Sequence, residues 1–246
     1  MYFIMTHDNA LQLKNFLNIT FSDSINIEII NDLVIISIAQ EDYSNFTVIK
    51  LNLEYFTSCN LIESSLNTNT LVHIEGEIEL HSDGNKNRFT VPRCDFYRNN
   101  MTSCKIELEP NNLHLHFQYK DTVTSEITYN TLNYLPFEFD FDKYKTFQIN
   151  IDLFKSVLTR FYSKFVEIKI KNRQLQWNVQ NTMIQTNINV DFDIEFQVSW
   201  IHFKRIFTFT DYDCGYISIS SDKQIIQVTF KKENVLVESY LSNYLV

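Results

Sequence analysis

The chain has 246 residues, 44% of them hydrophobic and 21% charged, and its 30 acidic against 21 basic side chains give a formal net charge of −9. That is the composition of a globular protein with apolar mass for one large core or two modest ones. Only 3 Gly and 3 Pro occur, where average usage would give about 17 and about 12. Gly76, Gly84 and Gly215 cannot build G-x-G-x-x-G, G-x-x-x-x-G-K-[ST] or G-x-S-x-G, which excludes dinucleotide folds, P-loop NTPases, protein kinases and nucleophile-elbow hydrolases.

Four scattered cysteines, with no C-x-x-C, fit reduced intracellular thiols. The first residues, MYFIMTHDNALQLK, show no basic stretch followed by an apolar one, so no secretory signal is expected. The longest apolar run, Leu33–Ala39, is far short of the ~20 residues of a membrane span. The expectation is a soluble intracellular protein without membrane contact.

In chain order, Asp8–Asn18 reads as a helix, with Leu11, Leu13, Phe16 and Leu17 apolar and Asp8 as a cap. Strands follow at Asn26–Ile30, Leu33–Ile38 and Phe46–Leu51, rich in Ile and Val and split by polar turns. Asn60–Asn87 is a polar insertion, interrupted by Leu71–Leu80. Pro92–Asn100 reads as a second helix, with Pro near a first turn. Strands Lys105–Leu108 and Leu113–Phe117 come next. Tyr119–Asp142, with Pro136 and little periodicity, reads as a connector.

Beyond it, Phe147–Ile149 is a strand and Ile151–Tyr162 the clearest helix, with Phe154, Val157, Leu158 and Phe161 at i, i+3, i+4, i+7. Strands Glu167–Ile170, Leu175–Val179, Ile184–Val190 and Phe192–Val198 follow. Helix Ser199–Phe207 carries Trp200, Phe203, Ile206 and Phe207 on one side. Tyr216–Ile219, Ile225–Phe230 and Val235–Leu241 close the chain. Strict alternation, as in Phe192, Ile194 and Phe196 against Asp191, Asp193 and Glu195, gives each sheet one buried and one wet face. The whole reads as a mostly β, α+β chain of two similar domains, 1–118 and 143–246, each with two short helices packed on antiparallel sheets. The connector spans 119–142.

Catalytic signals are weak. His114-x-His116 puts two rings on one strand face, a zinc-compatible spacing, yet no third ligand accompanies it. Two strand-surface histidines are the stronger reading, and no metal or cofactor is expected. Glu138-x-Asp140-x-Asp142 and Asp191-x-Asp193-x-Glu195 have the carboxylates of a Mg²⁺ site, but half-exposed amphipathic strands give the same pattern.

The helices segregate positive charge. Lys14, Arg93, Arg98, Lys155, Arg160, Lys164, Lys204 and Arg205 lie on or beside them, whereas strands and loops hold most acids. All four helices showing this bias within an acidic protein points to a phosphate-facing surface.

At these residues the chain resembles a DNA sliding clamp. Phe196–Tyr244 is similar in order and spacing to the strand–helix–three-strand unit that closes such chains. FKRIFTFTDYDCGYISI (Phe203–Ile219), VTFKKENVLVESYLSNYL (Val228–Leu245) and SNFTVIKLNLEYF (Ser44–Phe56) look most like the Rad-nine subunit of the nine-one-one checkpoint clamp, a relative of proliferating cell nuclear antigen.

The resemblance implies the clamp fold, with four strand–helix–strands units, and no enzymatic activity. It implies a trimeric ring with two other clamp subunits, encircling double-stranded DNA without sequence preference at damage sites in the nucleus. A clamp loader and repair and checkpoint proteins would be its partners. By the same resemblance, Leu113, Leu115 and Phe117 would pair with Ile184, Ile188 and Val190 of a neighbour at the ring interface. Leu132, Tyr134, Leu135, Pro136, Tyr240, Leu241 and Tyr244 would form a pocket for partner peptides. A homotrimeric replication clamp is the alternative with the same fold. A metal-dependent nuclease and an all-β interaction module are alternatives of other classes.

Overall fold

The computed structural model describes residues 1–30, 33–42, 44–61, 88–120, 123–132, 141–152, 155, 162–179, 182–209, 212 and 214–245. The first unit is β1 (Tyr2–Thr6), α1 (His7–Leu17), β2 (Ser24–Ile30), β3 (Leu33–Ala39) and β4 (Asn45–Asn52). A short 3-10 turn, Leu53–Tyr55, then leads to β5 (Ser58–Asn60). β6 (Arg88–Pro92), β7 (Met101–Leu108), β8 (Asn112–Tyr119) and β9 (Thr124–Asn130) complete the first half. The second half runs β10 (Lys143–Asn150), β11 (Phe165–Lys171), β12 (Gln174–Val179), β13 (Thr182–Asn187), β14 (Ile194–Ser199), α2 (Trp200–Thr208), β15 (Cys214–Ser220), β16 (Ile225–Lys232) and β17 (Val235–Ser242). Between β10 and β11, the described residues Ile151, Asp152 and Lys155 are helical, where the third helix is expected.

Three antiparallel sheets result, in the orders β5-β1-β7-β8-β9, β10-β15-β16-β17-β4-β3-β2-β6 and β13-β12-β11-β14. A strand–helix–three-strand unit never stays in one sheet. β1 lies in the first sheet and β2–β4 in the second; β14 lies in the third and β15–β17 in the second. Each helix therefore bridges two sheets and buries its apolar stripe where they meet. α1 buries Ala10, Leu13, Phe16 and Leu17; α2 buries Trp200, Phe203, Ile206 and Phe207. Each large side chain so buried contributes about 1.5–3 kcal/mol over leaving it in water.

The middle sheet crosses the halves. β17 pairs with β4 from Val235↔Leu51 to Leu241↔Asn45. Across that pairing the buried hydroxyls of Thr20, Thr47 and Ser239 join in a chain, with Thr20 Oγ1 to Thr47 Oγ1 at 2.8 Å and Thr47 Oγ1 to Ser239 Oγ at 3.1 Å. One contiguous core runs through both halves.

Three expectations are corrected. First, 93–98 is not helical. Burial there has period two, with Cys94 and Phe96 inside and Arg93, Asp95 and Tyr97 partly exposed. The Asp95 carboxylate accepts from Tyr97 N (3.1 Å), and Asn100 at φ 65 turns the chain into β7. Pro92 ends β6 rather than starting a helix. Second, the stretch read as connector contains β9. Only Ile127 and Tyr129 of that strand are apolar, too weak a pattern to stand out. Third, α1 is capped by Thr6, whose Oγ1 accepts from Asn9 N at 3.2 Å, so Asp8 lies inside its first turn.

Candidate nucleic-acid interface

The wet sides of the helices carry the site. On α2, Ile201 and Thr208 are exposed while Lys204 and Arg205 are half-buried beside them; on α1, Asp8 and Leu11 are exposed with Lys14 flanking. α1 meets the chain just beyond α2 across the halves. Phe16 stacks on Tyr212 (6.2 Å between centroids), and a cleft of about 400 Å³ is lined by Asp8, Leu11, Asn15, Tyr55, Phe209 and Lys232.

The cations differ in what they already hold. Lys14 Nζ is 3.5 Å from Asp95 Oδ2 and 5.0 Å from the Tyr97 ring centre. Arg93 is fixed by α1: Nη2 donates to Leu17 O (2.9 Å) and Asn18 Oδ1 (2.8 Å), Nη1 to Thr20 O (3.2 Å) and Ser22 O (3.3 Å). It thus caps the helix C-terminus, where unpaired carbonyls favour a cation. Burial, and then the nearby Arg205 charge, push its pKa below the ordinary value, so Arg205 lies within electrostatic reach.

Arg98 sits in the irregular segment, 5.6 Å from the Phe117 ring. Lys164 is exposed, 5.1 Å from the Phe165 ring, and Lys204 Nζ is 4.8 Å from the Tyr162 ring. Lys155 is half-buried. Arg160 lies outside the described residues. Lys14, Arg93, Lys204 and Arg205 therefore gather about α1 and α2. Phe21 and Tyr162, which carry Arg93 and Lys204 on their rings, are not singled out by the sequence; an aromatic next to a helix end is the one signal that marks them.

Of the expected interface strands, β8 is not an edge. It lies between β7 and β9, paired on both sides, and Leu113, Leu115 and Phe117 are 0% exposed in the core. Among the described residues, the edge on that side of the sheet is β9. β13 does form the edge of its sheet, with the backbone of Ile184 in it, but it ends at Asn187. Ile188 and Val190 follow in irregular chain, packed partly against the core.

Of the expected peptide pocket, Leu241 faces the core at 2% exposure and is not available to a ligand. Tyr240 is buried on the opposite face, stacked on Phe46 (4.3 Å), its hydroxyl accepting from Gln227 Nε2 at 2.8 Å. Leu132 and Tyr244 are exposed, at 49% and 45%. Tyr134, Leu135 and Pro136 lie outside the described residues.

The carboxylate run of the second half disperses. Asp191 meets Arg173 (3.9 Å), Asp193 accepts from Asn172 N (3.2 Å), and Glu195 pairs with Lys169 (2.6 Å). Glu138 and Asp140 are outside the described residues. His114 and His116 each face glutamates: Nδ1 of His114 is 3.2 Å from Glu126 and Nε2 of His116 is 3.5 Å from Glu107. Among the described residues no three His, Cys, Asp or Glu gather to hold a metal ion. Among them, too, no helix is long and apolar enough to cross a membrane.

Neither a protein-family profile nor a curated protein matches the sequence. Solved structures do match the fold. The chain is similar to one in a crystal structure of the PCNA2–PCNA3 complex from Sulfolobus tokodaii, with a TM-score of 0.72 at 13% identity over 100% of both chains. It is likewise similar to proliferating cellular nuclear antigen from Entamoeba histolytica, with a TM-score of 0.68 at 9% identity over 98% of each. The mostly β fold of this chain is the clamp fold that these proteins share.

Proposed function

We propose that the protein is one subunit of a ring-shaped DNA clamp. The observation that carries this reading is the extent of the structural match, which spans the whole of this chain and the whole of a chain from the Sulfolobus complex. Two features add support. Among the described residues each half offers an edge strand, β9 and β13, as head-to-tail ring closure requires. The cations gather on the helices of a protein whose net charge is −9. A closed ring stays on DNA by topology, so weak, sequence-blind phosphate contacts suffice and no catalytic group is needed.

Within this reading, the chain is a subunit of the checkpoint type in a heterotrimer, working at damage sites in the nucleus. Its partners are a clamp loader, repair and checkpoint proteins, and two other clamp subunits. The complex of two differently named subunits in the Sulfolobus structure favours a mixed ring. A ring of identical copies is the second reading, favoured by the likeness to the singly named proliferating cellular nuclear antigen of Entamoeba histolytica. Light scattering behind size exclusion decides between them: the mixed ring gives a lone monomer and the homotrimer a threefold mass. Topological retention on circular DNA, lost when the circle is cut, tests the clamp reading itself.

A further inference from the structure

Two aromatic rings stand in solvent beside cations, Tyr162 by Lys204 of α2 and Phe21 by Arg93 at the end of α1, whereas most other described phenylalanines are core. Phe21 is 60% exposed and Tyr162 76%, whereas Phe3, Phe16, Phe96, Phe117, Phe196 and Phe203 are at most 1% exposed. Both belong to the same neighbourhood. Lys204 Nζ lies 4.8 Å from the Tyr162 ring; the next residue, Arg205, acts electrostatically on Arg93, whose Cζ lies 5.6 Å from the Phe21 ring. Arg93 is itself held by four acceptor oxygens at the end of α1, so the group beside Phe21 is fixed. Ile201, on the same helix as Lys204, is 57% exposed.

Exposed rings find no π-face on undistorted paired DNA. A duplex presents phosphates and groove edges, and its base faces are closed by stacking. An unpaired base presents a π-face, and exposed aromatics set among cations are what single-strand binding employs: rings take the bases, cations the backbone. We propose that this surface binds single-stranded DNA, stacking unpaired bases on Phe21 and Tyr162 while Lys204, Arg205 and Lys164 meet the phosphates. The inference rests on the clamp reading, since it assigns a DNA form to the same helix surface. It adds that a junction between duplex and single strand, rather than uniform duplex, suits the surface best.

The test uses the full chain at low ionic strength, with fluorescence anisotropy on two labelled probes, an oligo(dT) and a blunt duplex. Phe21→Ala and Tyr162→Ala should each weaken oligo(dT) binding about tenfold and leave duplex binding unchanged. Tyr162→Phe, which keeps the ring, should bind as the parent does. Phe21→Leu and Tyr162→Leu keep apolar bulk and hence the fold, and should lose single-strand affinity like the alanine variants. Parent-like oligo(dT) binding in the leucine variants overturns the inference, as does an equal loss on both probes. Binding of the parent to duplex alone also overturns it and leaves the clamp reading standing. Binding of the parent to neither probe overturns this inference and leaves the clamp reading to its own test, topological retention on circular DNA.

Discussion

Arg93 holds two backbone carbonyls and the Asn18 side chain around the end of α1, together with Ser22 O beyond it. Its main effect is therefore on stability. Arg93→Ala strips charge-assisted bonds from the helix end and should cost about 2 kcal/mol, read as a lower melting temperature. Arg93→Lys should not restore it, because an ammonium cannot fork to acceptors on both sides. A melt unchanged by Arg93→Ala would return the residue to a purely DNA-facing role. His202 makes a second prediction. Burial, then the Arg205 charge, lower its pKa below 6.5, against a smaller opposing pull from Asp42. The folded state thus binds the proton less well than the unfolded chain. Its contribution is fully present above pH 6.5 and is lost as pH falls towards the lowered folded value. His202→Gln should flatten the fall of melting temperature between neutral and mildly acid pH.

At the level of elements, the hydrogen-bond alternation says which backbone groups the edges offer. Tyr119 N donates to Val123 O and Thr131 N to Asn111 O, so the bonded pairs of β8 and β9 include residues 125, 127 and 129. Glu126 and Thr128 therefore direct their N–H outward. On β13, Ile188 N donates to Arg173 O, which by the same alternation turns Met183 and Gln185 outward. Thr128→Pro and Gln185→Pro remove one outward donor each without breaking a backbone bond of the ladder, though each gives up a side-chain bond, Thr128 to His114 and Gln185 to Gln174. Each should abolish ring assembly, seen as loss of the trimer mass in the reconstituted ring, while circular dichroism stays native. Leu115→Pro behaves differently. It breaks the doubly paired β8 inside the core, costs about 3 kcal/mol or more, and should unfold the first half. A folded Thr128→Pro variant that still assembles would show that β9 is not the seam.

For the whole molecule, the eight-stranded sheet fixes one half against the other through β17 and β4, with the buried Thr20–Thr47–Ser239 chain across the pairing. The helices of both halves are thereby set on one frame, so under the proposed clamp reading their cations would act on DNA as a group. Lys164, Lys204 and Arg205 are the ones to remove together, since Asp95 already balances Lys14 and α1 holds Arg93. The Lys164→Ala, Lys204→Ala, Arg205→Ala triple variant should flatten the plot of log K against log salt for duplex DNA by about 0.9 for each phosphate that is no longer neutralised. An unchanged slope takes these three residues out of the DNA path. The melting temperature should barely move, because none of the three is in the core.

The sequence by itself determined most of the strands and where α1 and α2 lie, because local periodicity reports which side chains must leave water; β1, β5, β6 and β9 are too short or too polar to stand out. Period two shows in Ile194–Ser199, and a 3.6-residue stripe shows in Trp200, Phe203, Ile206 and Phe207. It also determined the order of elements that resembles a clamp. Tertiary structure alone decided which strands are edges. The resemblance points to β8 as the seam, yet the polar β9 covers it; the two apolar residues of β9 carry no local signal, and its place depends on neighbours already assembled. The same holds for 93–98, where a proline near a first turn points to a helix. Burying Cys94 and Phe96 while delivering the Arg93 guanidinium to α1 requires an extended chain. The pairing of β17 with β4 joins residues as far apart as Thr47 and Ser239, 192 positions along the chain. No window of sequence spans that distance, because the energy of such a contact belongs to the assembled core and not to either strand.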